Sequence, residues 1–302
     1  VPPAKKTRKS SMPAARNTSK GPSRRARAAP AGPGLSITDK VAFALATLAS
    51  LGTPRVRDDM ARRFGITGKT ASTAHGVPMN QIQKLAKELR LATPKARKPA
   101  KTATKAKKPE PPAAGAPDAA AHNHALAQAL WDTGKYDARM VAVYVAEPSL
   151  VTPAQMDAWT AGMDNWAICD TACFHLFDKT PHALDKIDQW STGRLSRGVK
   201  PPADDEFVRR TAFALFASVA LHDKGDIEDR LLALLPLTER AVTNPPDDRN
   251  FVIKAVSWAL RSAARRPRLR TECVAIARRL ADLPHAGARW TGKDVLRQLK
   301  AR

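Results

Sequence analysis

From His122 to Arg302 apolar residues recur three and four positions apart, and single helix breakers interrupt them at short intervals. The breakers are Gly134, Pro148, Pro153, Thr180-Pro181, Gly225, Pro245-Pro246, Pro267 and Pro284. Three-and-four spacing lays an apolar stripe along one side of a helix, and no segment shows the period-two alternation of a strand. The pattern predicts helices at about 123–133, 137–147, 153–162, 166–177, 181–191, 204–222, 226–241, 249–265, 268–282 and 290–300. Short helices with short connections pair antiparallel, and successive pairs bury their stripes by stacking on one another. The expected fold class is therefore all-α, an α-solenoid of antiparallel helix pairs.

A further helical unit precedes this array. Ser36-Ile-Thr-Asp39 can cap a helix running through Val41-Ala-Phe-Ala-Leu-Ala-Thr-Leu. Gly52-Thr-Pro54 ends it, a second helix spans about Arg55 to Phe64, and a third covers Met79 to Leu89.

Two segments have a different character. Residues 1–34 hold nine basic residues and no acid, and are rich in Ser, Pro and Ala. Nothing in them can build a core, which predicts a disordered basic tail. Residues 91–121 are dominated by Ala, Lys and Pro and carry +5, which predicts a disordered basic insertion. The expected domain is then 35–302, interrupted at 91–121. The whole chain carries a formal +23, of which +9 remains in the folded part. Such a balance points to a polyanion, usually nucleic acid. No apolar run approaches the 18 or so residues of a membrane-spanning helix, and no signal-peptide core is present. Three cysteines, an odd number, argue against a disulfide framework and for a reducing compartment. The expected location is cytoplasmic, associated with the nucleoid, and the expected state is a monomer.

The stretch Asp164-Asn-Trp-Ala-Ile-Cys-Asp-Thr-Ala-Cys-Phe-His-Leu-Phe177 places Trp166 and Asp170 four residues apart. On a helix that spacing stacks both side chains on one face. An aspartate among small apolar residues is costly unless something partners it. Arg210 follows Trp166 by 44 residues, and Trp258 follows Arg210 by 48. Those intervals lie close to the period of HEAT and armadillo repeats, so the three side chains can recur on one surface.

Four motifs resemble those of the AlkD-like DNA alkylation repair proteins, the HEAT-like-repeat DNA glycosylases. Leu130-Trp-Asp-Thr-Gly-Lys-Tyr-Asp-Ala-Arg-Met140 is similar to the family's tryptophan-to-arginine hairpin. Asn165-Trp-Ala-Ile-Cys-Asp170 resembles its Trp-x-x-x-Asp catalytic motif. Phe207-Val-Arg-Arg-Thr-Ala-Phe213 resembles its Arg-x-Ala helix, with Arg210 at the arginine. Phe251-Val-Ile-Lys-Ala-Val-Ser-Trp-Ala-Leu-Arg261 resembles its Lys-Ala-x-x-Trp-x-Leu-Arg helix. The similarity covers about 37–90 and 122–300. The family often has a tyrosine after a Met-x-x in its second helix, where this chain reads Met60-Ala-Arg-Arg-Phe64.

The resemblance implies a monofunctional glycosylase that hydrolyses the N-glycosidic bond of cationic purines, 3-methyladenine and 7-methylguanine, in duplex DNA, without a cofactor or metal. It implies catalytic roles for Asp170, Trp166 and Trp258 and a DNA contact from Arg210, although the doublet leaves open whether Arg209 or Arg210 faces the DNA. Lys254, four residues before Trp258, and Arg261, three after it, flank the tryptophan and suit either phosphate contacts or a solvated basic face. The alternative is a noncatalytic repeat protein that binds distorted or branched DNA. The residues alone leave bland readings open. Tryptophans in helical repeats are usually core, Asp170 can pair with a neighbouring arginine, and Arg210 can pair with Asp204 or Asp205. Arg139 reads as an inter-helix ion pair. Cys169, Cys173 and His175 match no common zinc spacing, and His122 and His124 read as solvated.

Overall fold

The computed structural model describes residues 35–92 and 118–300. The basic tail and most of the 91–121 insertion lie outside the described residues. Among the described residues every regular element is helical, and no helix is long and apolar enough to cross a membrane.

Helices α1 (Ile37–Leu51), α2 (Pro54–Arg62) and α3 (Met79–Leu89) precede the insertion. The N-cap of α1 is Ser36, whose hydroxyl accepts from the Asp39 amide, and Thr53 caps α2 in the same way. The chain resumes in α4 (Ala119–Asp132), capped by Asp118. The helix thus begins four residues before the predicted 123, and the last residues assigned to the insertion belong to it. The other end of that segment is also held: Asn123 bonds both backbone groups of Leu91. His122 and His124 are therefore helical and half-buried rather than solvated. His122 Nε2 lies 3.1 Å from Nζ of Lys40, itself a buried lysine that donates to the Leu89 carbonyl.

Next come α5 (Tyr136–Val145), α6 (Pro153–Ala161), α7 (Trp166–His175), α8 (Ala183–Ser191) and α9 (Glu206–His222). The predicted helix 226–241 is two helices, α10 (Glu228–Leu234) and α11 (Pro236–Ala241), because Pro236 has no amide proton to continue the ladder. Helices α12 (Asn250–Ala263), α13 (Pro267–Asp282) and α14 (Ala286–Lys300) complete the array.

Helices α3, α5, α7, α9, α12 and α14 pack side by side in that order. Behind them α1 and α4 back α3 and α5, α8 backs α9, and α13 backs α14. This is the expected solenoid of antiparallel pairs. The centre is α9, in which every residue from Val208 to Ala220 is buried. A helix apolar on all sides belongs inside, and the charges on it, Arg209 and Arg210, need partners. At the far end α13 and α14 approach closely: a Cβ on Gly292 would collide with backbone atoms of Ala277 and Ala281.

The tryptophans divide by depth. Trp131 and Trp159 stack face to face at 4.2 Å, and Trp190 is wholly buried with its indole N–H on Asp157. Trp166 and Trp258 are only partly buried, on the open face of the front row.

Candidate nucleic-acid interface

Helix α7 starts where it does because Asn165 caps it, its side chain accepting from the Ile168 amide at 3.2 Å. The turn before it is anchored by Asp164, which accepts from the Thr70 amide at 2.6 Å. The loop carrying Thr70 approaches so closely that Gly68, at φ +106°, has no room for a side chain: a Cβ would meet the Asp164 carbonyl at 2.6 Å. Trp166 is the first residue of α7, and its indole N–H donates to the carbonyl of Phe64 at 3.1 Å. Phe64 stands 56% exposed beside it.

Four residues on, Asp170 meets Arg210 of α9. Nε and Nη2 of the arginine donate to the two carboxylate oxygens at 3.1 and 2.7 Å, and Nη1 donates to the Phe251 carbonyl at 3.1 Å. The guanidinium lies 5.9 Å from the Trp166 ring and 5.7 Å from the Phe251 ring, within reach of both quadrupoles. Side-chain exposure is 19% for Asp170 and 8% for Arg210. Burial pushes the Asp170 carboxyl above the usual carboxylate range, while Arg210 pulls it back towards the ionised form.

One more turn along α7 stands Phe174. Its ring stacks on Trp258 of α12 at 4.8 Å and 8°, bridging from α7 to α12 across α9, and meets His222 edge-on at 5.2 Å. Asp170 is thus flanked along its helix by an indole one turn before it and a Phe–Trp stack one turn after. Sequence reasoning gave Trp258 that place but missed Phe174, which extends the Trp166, Asp170 spacing by four more residues. Phe251, which closes the arginine cluster, was also missed as a site residue.

The arginines depart from expectation. Arg210 does not point outward as a phosphate ligand, since all three of its donor nitrogens are engaged with Asp170 and Phe251. Nor does it pair with Asp204 or Asp205, which bind Arg249 instead. Arg209 turns the other way and is buried against Asp247 (2.7 Å) and the Ala241 and Ser191 carbonyls. Neighbours on a helix point to different sides, so one doublet serves two buried clusters, and Arg209 lies in the one away from Asp170. Arg261 lies against Ser257 and Asp294 at 3.3 and 3.8 Å, directed at α14. Lys254 is exposed on α12, one turn before Trp258. Arg139 is structural but not through an ion pair: it donates to the Gly162 carbonyl at 2.7 Å and lies over Trp131.

Cys169 and Cys173 face the core and donate to carbonyls of α9, and burial pushes the Cys169 thiol up to about 12. His175 is exposed and tilts against Tyr144. Among the described residues no three His, Cys, Asp or Glu side chains are grouped as a metal site.

The sequence matches the family model for DNA alkylation repair enzymes over residues 91–279. The chain belongs to this family. Among curated proteins none matches it. One solved structure is similar over 85% of this chain and 94% of its own, with 16% identity and a TM-score of 0.56. That protein is described as one of a new family related to the HEAT-like repeat DNA glycosylases with affinity for branched DNA structures. At such identity the likeness shows the fold, a HEAT-like array. The family match takes in α4 to α12 and most of α13, and so contains the whole Asp170 cluster.

Proposed function

We propose that this alkylation-repair protein is a monofunctional DNA glycosylase that releases cationic N-alkylated purines, 3-methyladenine and 7-methylguanine, from duplex DNA. The observation that carries the reading is the partly exposed Asp170, held between Trp166 and the Phe174–Trp258 stack. A purine alkylated at N3 or N7 carries a positive charge, so it departs as a neutral base and needs no general acid. The glycosidic electrons pass to the purine and positive charge develops on the deoxyribose. A carboxylate stabilises that charge, and aromatic faces beside it add to the effect. Water then bonds to the anomeric carbon and loses a proton to Asp170 or to solvent.

In this reading Arg210 is a positioning residue. Its bidentate grip fixes both carboxylate oxygens and keeps Asp170 ionised in a partly desolvated place. Contacts to DNA come from exposed groups around the cluster, Lys254 and Phe64 among them. The deciding experiment is base release. Purified protein is incubated with N-methylated duplex DNA, and the soluble fraction is analysed for free purines. Release of 7-methylguanine or 3-methyladenine is expected, and its absence with intact DNA binding would refute the reading.

Two observations favour a second reading, a noncatalytic protein for branched DNA. The similar solved structure belongs to proteins described with that affinity, and Arg210 engages both oxygens of Asp170. Binding to a four-way junction at least tenfold tighter than to duplex, with no base release, would support it.

A further inference from the structure

Arg265 lies in the turn just beyond Ala263, the last residue of α12, and so at the α12–α13 corner. There an open cleft of about 610 Å³ lies between the end of α9 and the α12–α13 corner, lined by Leu221, His222, Asp223, Lys224, Arg265 and Arg266. The cleft adjoins the aromatic column, because His222 on its wall is the ring that meets Phe174 edge-on. The position of His222 is fixed from behind by buried Asp178, 2.7 Å from its Nδ1.

The cations of the basic run 265–270 have been sorted by the fold. Arg266 closes the back of the cleft, donating to the carbonyls of Ala220 and Asp223 and facing Glu228 at 3.6 Å. Arg268 is paired with Asp229, and Arg270 is exposed outside the cleft lining. Arg265 is exposed and has no side-chain partner among the described residues. Lys224 is exposed and uses one donor on the Leu221 carbonyl, leaving two. The acid on the lining, Asp223, is turned to the Gly225 amide at 2.7 Å.

We infer that this cleft is a second DNA contact, in which Arg265 and Lys224 bind a backbone phosphate of the strand that passes over Trp258. The contact rests on the DNA-binding part of the proposed function and is independent of catalysis.

The test measures affinity for undamaged duplex over a sodium chloride series, so that it holds whether or not the protein excises bases. The variants are Arg265→Ser with Lys224→Ser, the charge-retaining pair Arg265→Lys with Lys224→Arg, and Arg278→Ser, which removes an exposed charge outside the cleft. One phosphate contributes about 0.9 to the slope of log affinity against log salt. The first variant should flatten the slope by about one, with melting temperature unchanged. The charge-retaining pair should restore the slope, and Arg278→Ser should change it by less than half as much. An unchanged slope in the folded double variant, or an equal loss on Arg278→Ser, would overturn the assignment.

Discussion

Replacing Arg210 with methionine isolates what the arginine does for Asp170. Methionine keeps an apolar stem between Trp166 and Phe251 but removes the charge and both donors to the carboxylate. Opposite unit charges about 4 Å apart, in a medium of effective dielectric about 20, attract by about 4 kcal/mol. The 19% residual exposure of Asp170 and local relaxation reduce this to about 2–3 kcal/mol. One pH unit corresponds to about 1.4 kcal/mol, so the Asp170 titration should move up by about two units.

The direction follows from burial. The folded pKa already lies above the ordinary value, so activity that needs the carboxylate is lost as pH falls through that raised value. Without Arg210 the loss occurs at still higher pH. The assay is single-turnover release of 7-methylguanine from methylated duplex between pH 4.5 and 9, corrected for the protein-free rate. The acid limb of Arg210→Met should lie about two units above that of the parent. A raised folded pKa contributes stability below the unfolded pKa, and that contribution is lost as pH rises through the folded value. Melting should therefore show the variant more destabilised at pH 8 than at pH 5. An acid limb that stays in place in a folded variant would mean that Asp170 is not the group whose ionisation excision requires.

Further outcomes follow from the same geometry. Asp170→Asn should nearly abolish base release while DNA affinity stays within a few fold, and full activity would remove Asp170 from the mechanism. Trp258→Ala and Phe174→Ala should each slow excision more than they lower the melting temperature, and the double variant should be no slower than the worse single one. A core role would instead cost about 3–5 kcal/mol of stability per aromatic ring. Deleting residues 1–34 and replacing 93–117 with a Gly/Ser linker removes +9 and +6. It should flatten the salt slope of duplex binding by several units, at about 0.9 per phosphate, and leave saturated single-turnover excision unchanged. Burial holds the Lys40 ammonium below its usual range, so folded protein binds that proton less readily than unfolded chain. Stability is then lost as pH falls through the depressed value, and Lys40→Met should melt higher at pH 6 by an amount that shrinks towards pH 10.

The periodicity of apolar residues was enough to place nearly every helix, because burial of one stripe is a local property of spacing. Where it failed, a local chemical detail was overlooked. Pro236 breaks one predicted helix in two, and Asp118 starts α4 earlier than the first strongly apolar residue suggests. The column Trp166, Asp170 was legible for the same reason, since four residues on one helix share a face. The partners of these groups were not. Arg209 and Arg210 are adjacent in sequence, and only packing shows one turned to Asp247 and the other to Asp170. Phe174 gains its meaning from Trp258, 84 residues away in sequence, because α9 lies between α7 and α12 and its ring reaches across. The basic run 265–270 looks uniform in the sequence, and the corner of α12 and α13 divides it into Arg266 and Arg268, which bind the protein itself, Arg265, which faces the cleft, and Arg270, which is exposed outside it. Spacing along one helix is written in the chain, whereas the pairing of charges and rings between helices depends on which helices become neighbours, and only the stacked array decides that.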